Sequence, residues 1–277
     1  MEIPLHLTVA DGAAVRILQI TDTHLFAGET ETLLGINTLH SYHAVLGAIV
    51  KQQLPADLIV ATGDLVQDQS IRAYQRFTQG IACLPAPCVW LPGNHDYQPS
   101  MAKELADAGI NPAKHILLGE QWQILLLDSQ VQGVPHGELS EYQLAWLDEC
   151  LAQYRDRHTV VMLHHHPLAS GCTWLDQHSL RNSHELADVL VKYQNIDAIL
   201  CGHIHQDLDM MWNGIRVLAT PSTCVQFKPH CTTFTLDTVA PGWRYLELTT
   251  GELPALKTTV HRLDTDEFSP DLGSEGY

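Results

Sequence analysis

The sequence predicts an α/β protein built as one domain. Three features predict it. Six short apolar runs recur between residues 15 and 200, helical periodicity falls between several of them, and after residue 206 the texture changes to short strand-like runs broken by Gly or Pro. At 277 residues the chain can bury a substantial single core, and no internal repeat or low-complexity linker divides it. We place the domain at residues 1–261 and an acidic tail at 262–277.

The first apolar run, "VRILQIT" (15–21), ends at "DTH" and predicts a buried strand feeding a loop. Tyr42, Val45, Leu46, Ile49 and Val50 share one face at helical spacing within 37–53. "DLIVAT" (57–62) is a second strand, running into "GD", and a helix follows over 69–80. "PCVWLP" (87–92) is a third strand, running into "GNHD", and "WQILLLD" (122–128) a fourth. Ser140 with Gln143 makes a capping-box pattern before Leu144, Leu147 and Leu151. "TVVML" (159–163) is a fifth strand, ending at "HHHP"; Asn182 with Glu185 opens another helix in the same way. "IDAIL" (196–200) is a sixth strand, ending at "CGHIH". Asn213-Gly214, between two strand-like runs, signals a hairpin. The tail, weakly apolar and acidic, is expected to be mobile or laid across the surface.

Composition excludes several function classes. Apolar residues are 45% and charged residues 17%, the balance of a water-soluble globular chain, and no apolar stretch approaches a membrane span. The N-terminus lacks the basic and apolar regions of a secretion signal. The seven cysteines show no CxxC pairing, so reduced thiols and a cytoplasmic location are expected. A net charge of −17 with only 15 Lys plus Arg argues against nucleic acid as partner, and nothing points to a membrane. Histidine, at 17, outnumbers Lys and Arg together, which directs attention to a metal centre. Nothing in the sequence specifies an oligomeric state.

The ends of the strands carry the chemistry. Asp22 and His24, then Asp64, then Asn94 and His95, then His164, His165 and His166, then His203 and His205 each follow an apolar run. Loops at the carboxyl ends of strands in an α/β fold converge on one crevice, so residues far apart in sequence can meet there. Two carboxylates, an amide oxygen and several imidazoles suit divalent iron, manganese or zinc without a thiolate. His203 and His205, two apart in an expected extended segment, project to one side and can serve two ions about 3.5–4 Å apart. One Asp can bridge both ions. Taken singly each motif is weak; the compound order is specific.

That order, D-x-H, GD, GNHD, H, GHxH, resembles the calcineurin-type metallophosphoesterase superfamily. The longer segments "RILQITDTHLF", "VATGDLVQDQS", "CVWLPGNHD", "HGELSEYQLAWL", "LHHHPLASGCTWLDQHSLRN", "LCGHIHQDL" and "ATPSTCVQFKPHCTTFTLDT" resemble its class III cyclic-nucleotide phosphodiesterases over nearly all of residues 16–245. The resemblance implies a four-layer α/β/β/α sandwich with its site at the rim. It implies a first metal on Asp22, His24 and His205, a second on Asn94, His164 and His203, and Asp64 bridging. Asp64 and His95 would be catalytic, with His95 facing the scissile phosphate and Asp96 orienting it. His24, Asp64, Asn94, His95 and His205 would contact substrate. Two divalent ions are implied, iron by preference with manganese as substitute, and 3′,5′-cyclic AMP as substrate with 5′-AMP as product. Trp174, Arg181 and Phe227 flank the site as possible base-stacking side chains, or as core. Two alternatives stay open. One is another phosphoesterase on this fold, acting on a different cyclic nucleotide, a nucleotide pyrophosphate or a phosphomonoester. The other is a metal-free scaffold. The protein-phosphatase branch is weakened because "GDLVQDQ" and "LPGNHD" lack its arginines.

Overall fold

The computed structural model describes residues 3–10, 12–249, 251 and 255–276. Two β-sheets stack face to face. One has five strands, in the order Leu256–Arg262, Gly242–Leu248, Val15–Ile20, Leu58–Thr62, Cys88–Leu91. The other has seven, in the order Leu5–Leu7, His115–Leu118, Trp122–Leu126, His158–Met162, Ile196–Cys201, Ile215–Ala219, Leu208–Trp212. Val15–Ile20, Leu58–Thr62 and Cys88–Leu91 run parallel. So do Trp122–Leu126, His158–Met162, Ile196–Cys201 and Ile215–Ala219.

Because successive side chains in a strand point to opposite faces, each central strand feeds two cores. Ile17, Val60, Ile124 and Val160 pack between the sheets. Leu18, Ile20 and Ile59 face outward to the helices Thr38–Gln52, Ile71–Ile81 and Gln98–Asp107. On the other side Leu125, Val161 and Ile199 meet Trp146 and Leu147 of Glu141–Gln153 and Leu186 and Leu190 of Ser183–Leu190. The result is the expected four-layer α/β/β/α sandwich. A buried polar link also joins the sheets: Gln19 donates to Thr62 Oγ1 at 2.9 Å and accepts from Thr220 Oγ1 at 2.6 Å.

All six expected strands form within a residue or two of their predicted ends. The hairpin forms too, with Asn213 and Gly214 both at positive φ, the geometry that selects an Asn-Gly turn. Three details differ. Val50 is half exposed rather than on the buried face of its helix, because it follows Ile49 by one residue and so lies about 100° further round. Asn182 precedes its helix but makes no side-chain cap; its amide is taken by Leu139, accepting from the backbone N–H at 2.9 Å and donating to the carbonyl at 2.8 Å. The strand His115–Leu118 and the helix Gln98–Asp107 were not anticipated. The first is only four residues, all buried, and shows no alternation; the second buries only Met101, Glu104 and Leu105.

The chain's end lies across the surface. Phe268 is buried beside the His40 ring, 5.3 Å away, and Asp271 N–H donates to Leu34 O at 2.8 Å.

Candidate metal centre

The parallel strands of both sheets end on the same rim, and every predicted ligand stands two to four residues beyond a strand end. The loops that carry them are forced into uncommon backbone shapes. Asp22, His24, Asp64, His203 and His205 all have positive φ, between 44° and 66°. A left-handed backbone costs a non-glycine residue about 1–2 kcal/mol, so the surrounding contacts must hold five such residues in place. The expected extended segment at 203–205 is therefore not extended: both histidines turn through left-handed conformations. Gly63 (φ +93°) lets two loops touch, for a Cβ there would sit 2.6 Å from both Gly93 N and His164 Nδ1.

The turns bring the ligand atoms together. Asp22, His24 and His205 form one group, with His24 Nε2 and His205 Nε2 3.1 Å apart and Asp22 Oδ1 3.3 Å from His205 Nε2. Asp64 Oδ2 lies 3.2 Å from His164 Nε2 and 3.8 Å from His24 Nε2, between this group and the next. His164 and His203 form the second, their ring centres 5.1 Å apart. Each imidazole in the first group, and His164, is fixed by its other nitrogen. His164 Nδ1 donates to Thr62 O at 2.8 Å, His205 Nδ1 to Val225 O at 2.9 Å, and His24 Nδ1 meets Gln67 Oε1 at 2.7 Å. A carbonyl can only accept, so these contacts set the tautomer and leave each Nε2 lone pair facing the others.

These residues fit a pair of cations. Asn94 Oδ1 and His203 Nε2 are buried without a hydrogen-bond partner among the described residues, and His164 Nε2 has only the Asp64 and Asp22 carboxylates near it, which costs stability unless a ligand satisfies them. Burial pushes His24 down to about 3 and His203 well below the ordinary imidazole range, so both are neutral, the form that binds metal. Burial opposes protonation of His164, but the Asp64 and Asp22 carboxylates outweigh it and hold it up at about 9. Two buried carboxylates thus call for positive charge here, which a cation supplies better than a proton. Thiolates are not part of the set: burial pushes Cys201 and Cys224 up to about 12.

His95 stands beside the first group, its ring centre 5.1 Å from that of His24, and its backbone N–H donates to Asp64 Oδ1 at 2.8 Å. The expected pairing of Asp96 with His95 does not form. Asp96 instead accepts from Gly93 N–H at 2.9 Å, Leu65 N–H at 3.2 Å and Tyr74 OH at 3.1 Å, tying the loop of Asp64 to the loop of Asn94. His165 was not expected among the ligands, yet one of its nitrogens falls within reach of His164 and His203; its Nδ1 meets Ser129 Oγ at 2.8 Å. His166 turns away to Asp176 Oδ1 at 3.3 Å.

A cleft of about 460 Å³ opens at Asn94, His95 and His203 and continues to Trp174, His178 and Phe234. Of the three flanking side chains named from sequence, only Trp174 lines it. Phe227 is buried and stacks on His205 at 4.4 Å, and Arg181 bonds back to Gln177 O at 2.9 Å. Gln67 and Phe234 were missed, and neither has a local sequence signal.

A dinuclear phosphoester-hydrolysing site on an α/β/β/α sandwich is the class these features define. The chain belongs to the calcineurin-like phosphoesterase family, whose model matches residues 15–207. It is 65% identical, over all 277 residues and the whole length of both chains, to 3′,5′-cyclic adenosine monophosphate phosphodiesterase CpdA of Escherichia coli (strain K12). It is 52% identical over 268 residues, 97% of each chain, to the protein of the same name from Haemophilus influenzae. Among solved structures, a dimetal phosphatase from Danio rerio superposes with a TM-score of 0.58 at 15% identity, covering 90% of this chain and 98% of that one, a likeness of fold alone. The chain is a metal-dependent phosphoesterase with candidate ligand groups for two metal ions.

Proposed function

We propose that the protein hydrolyses 3′,5′-cyclic AMP to 5′-AMP. Two divalent ions serve the reaction, one on Asp22, His24 and His205, the other on Asn94, His164 and His203, with Asp64 between. The observation that carries this reading is the pair Asn94 Oδ1 and His203 Nε2, buried without a partner among the described residues and belonging to residues that line a cleft, with His164 Nε2 and Asp64 Oδ2 3.2 Å apart beside them. The cyclic phosphodiester is chosen because the full-length relatives carry that activity in their names. When bound, the ions supply the positive charge that an acidic chain lacks and make water a nucleophile near neutral pH.

The remaining work falls to the chain. His24, Asp64, Asn94, His95 and His205 surround the place where phosphate sits. Thr62 O, Val225 O and Gln67 hold the imidazoles so that none must reorient during turnover. His95 is half-buried at the cleft, with its backbone N–H on Asp64 Oδ1 at 2.8 Å. It is placed to protonate the leaving 3′-oxygen or to stabilise charge on the phosphoryl oxygens. Attack at phosphorus breaks a P–O bond, so oxygen from solvent appears on the phosphate of 5′-AMP. Hydrolysis of cyclic AMP in ¹⁸O-water, against a panel of other phosphoesters, tests the reading. Label on the ribose hydroxyl, a 3′-AMP product, or faster turnover of another ester class would sink it.

The donor set of nitrogen and oxygen suits iron, manganese or zinc alike; iron as native metal, with manganese as substitute, is our choice on the family resemblance. An iron enzyme loses activity on oxidation and regains it with reductant; full zinc occupancy with no response to oxidant would overturn the assignment. Seven unpaired thiols support a reducing, cytoplasmic setting, and among the described residues no helix is long and apolar enough to cross a membrane.

A further inference from the structure

One imidazole on the cleft wall belongs to neither ligand group. His178 lines the same cleft as Asn94, His95 and His203, is half-buried, and sets its ring centre 6.5 Å from that of His203. Among the described residues no hydrogen bond reaches either of its ring nitrogens; its backbone N–H donates to Leu175 O at 2.8 Å. The backbone that carries it is nevertheless held on both sides. Two residues before it, Asp176 Oδ1 accepts from Ser170 N–H and from Ser170 Oγ–H, each at 2.7 Å, and meets His166 Nε2 at 3.3 Å. Two residues after it, Leu180 N–H donates to His166 O at 3.0 Å, and between them Ser179 O accepts from Gly137 N–H at 3.3 Å. His166 is two residues from the ligand His164, so the segment of His178 is tied to the loop that carries the metal centre. This gives the third of the consecutive histidines its work. Ordering a loop costs conformational entropy, and here the ordered group is a polar side chain facing a cleft, the means by which a site fixes the orientation of its ligand.

We propose that His178 takes the 2′-hydroxyl of the ribose and so selects ribonucleotides over 2′-deoxyribonucleotides. This rests on the reading of the substrate as a 3′,5′-cyclic nucleotide with its phosphate at Asn94, His95 and His203. In such a nucleotide the 3′- and 5′-oxygens are both bound to phosphorus, so the 2′-hydroxyl is the sugar's remaining free hydroxyl. It stands on the carbon next to the one that bears the 3′-oxygen, hence beside the phosphate, as His178 stands beside His203. A neutral imidazole donates through one nitrogen and accepts through the other, and a hydroxyl does both, so the two groups match in either direction. A 2′-deoxy sugar offers hydrogen there and leaves the imidazole without its partner.

The test compares kcat/KM for 3′,5′-cyclic AMP and for its 2′-deoxy analogue on manganese-loaded, full-length protein. A hydrogen bond between uncharged groups is worth about 2- to 12-fold, so wild type should favour the ribonucleotide by that factor. His178→Ala and His178→Phe should each bring the ratio close to unity. His178→Gln, which keeps a donor and an acceptor, should restore part of it. Metal content, read by elemental analysis, should match wild type in all of these variants; loss of metal would place His178 in the metal centre instead. A purely structural role would lower both substrates alike and leave the ratio where it was. That result overturns the assignment, as does a wild type that does not distinguish the two substrates. If cyclic AMP is not turned over at all, the proposed reaction falls. Calorimetric binding of 5′-AMP and 2′-deoxy-5′-AMP to wild type and His178→Ala then still decides the residue: equal affinities in wild type, or a preference that the substitution leaves untouched, remove His178 from the sugar.

Discussion

At the scale of single residues, the site's chemistry is divided between groups that differ in what they touch. Asp64 Oδ2 lies 3.2 Å from His164 Nε2 and 3.8 Å from His24 Nε2, one imidazole from each proposed group, and we propose on this ground that it bridges. Asp64→Ala should therefore lower metal content below two ions per chain and cost more activity than Asp22→Ala. Metal analysis showing two ions in Asp64→Ala, with most activity kept, would exclude the bridge. His95 also lies within ligand reach of His24 and Asp64, so its two roles separate by metal content: as an acid, His95→Ala should keep its metal and lose about 10²- to 10⁴-fold in kcat, whereas as a ligand it would lose metal too. A near-normal rate would remove it from the mechanism. The ligand types were legible in the sequence because each follows an apolar run. Their anchors were not. Thr62 O and Val225 O are backbone groups that any residue could supply, and the five left-handed backbones carry no glycine to announce them. His165 shows the limit from the other side: three consecutive histidines have one composition and three different surroundings.

At the scale of elements, what positions the ligands is the length of each loop and the closeness of its neighbours. Gly63→Ala would add a strained φ and a contact of 2.6 Å to both the Asn94 loop and His164. A displacement of about 1 Å at a catalytic group can cost 10²-fold, so the variant should lose at least that factor while circular dichroism still reports both sheets. Normal activity would mean the loops have slack. Thiol reactivity probes the same packing. Burial pushes Cys88, Cys201 and Cys224 up to about 12, whereas Cys83 is exposed and Cys231 half-buried. Native protein treated with iodoacetamide should carry label at Cys83 and Cys231 alone; label at Cys201 would contradict the buried strand. Strands were readable where they were long and ended in polar loops. His115–Leu118 matches Cys88–Leu91 in length and burial but leads into no loop of ligand-type residues, so it looks like any apolar fragment, and Gln98–Asp107 has too narrow a buried stripe to be seen. Phe234 reaches the cleft through tertiary packing alone.

At the scale of the whole molecule, buried neutral histidines set the response to acid. His115 is buried in the seven-stranded sheet, away from the ligands. Burial lowers its pKa despite the bond to Gln123 Oε1 at 3.0 Å. The unfolded chain then takes up its proton first as pH falls below about 6.5. Stability is full above that value and is lost below it, by at most about 1.4 kcal/mol per pH unit from this group. Melting of chelator-treated protein between pH 7.5 and 5.5 should fall less in His115→Gln than in wild type; an equal fall would show that the group is not responsible. We propose that residues 1–261 are one domain and 262–277 an appendage fastened by Phe268. A chain ending at 262 should fold but melt several degrees lower, the loss of one buried aromatic being worth about 1.5–3 kcal/mol; failure to fold would make the tail part of the domain.

Each ligand group draws on both sheets: Asp22 and His24 from the end of Val15–Ile20 meet His205 from the end of Ile196–Cys201, and Asp64 meets His164. Occupied, the rim would be riveted across the seam of the sandwich, joining positions some 180 residues apart along the chain. Ions so placed do for a thiol-bearing chain what cross-links do for a secreted one. Starvation for metal would loosen the architecture as well as silence it, leaving a protein that unzips from its catalytic edge and becomes visible to proteolysis.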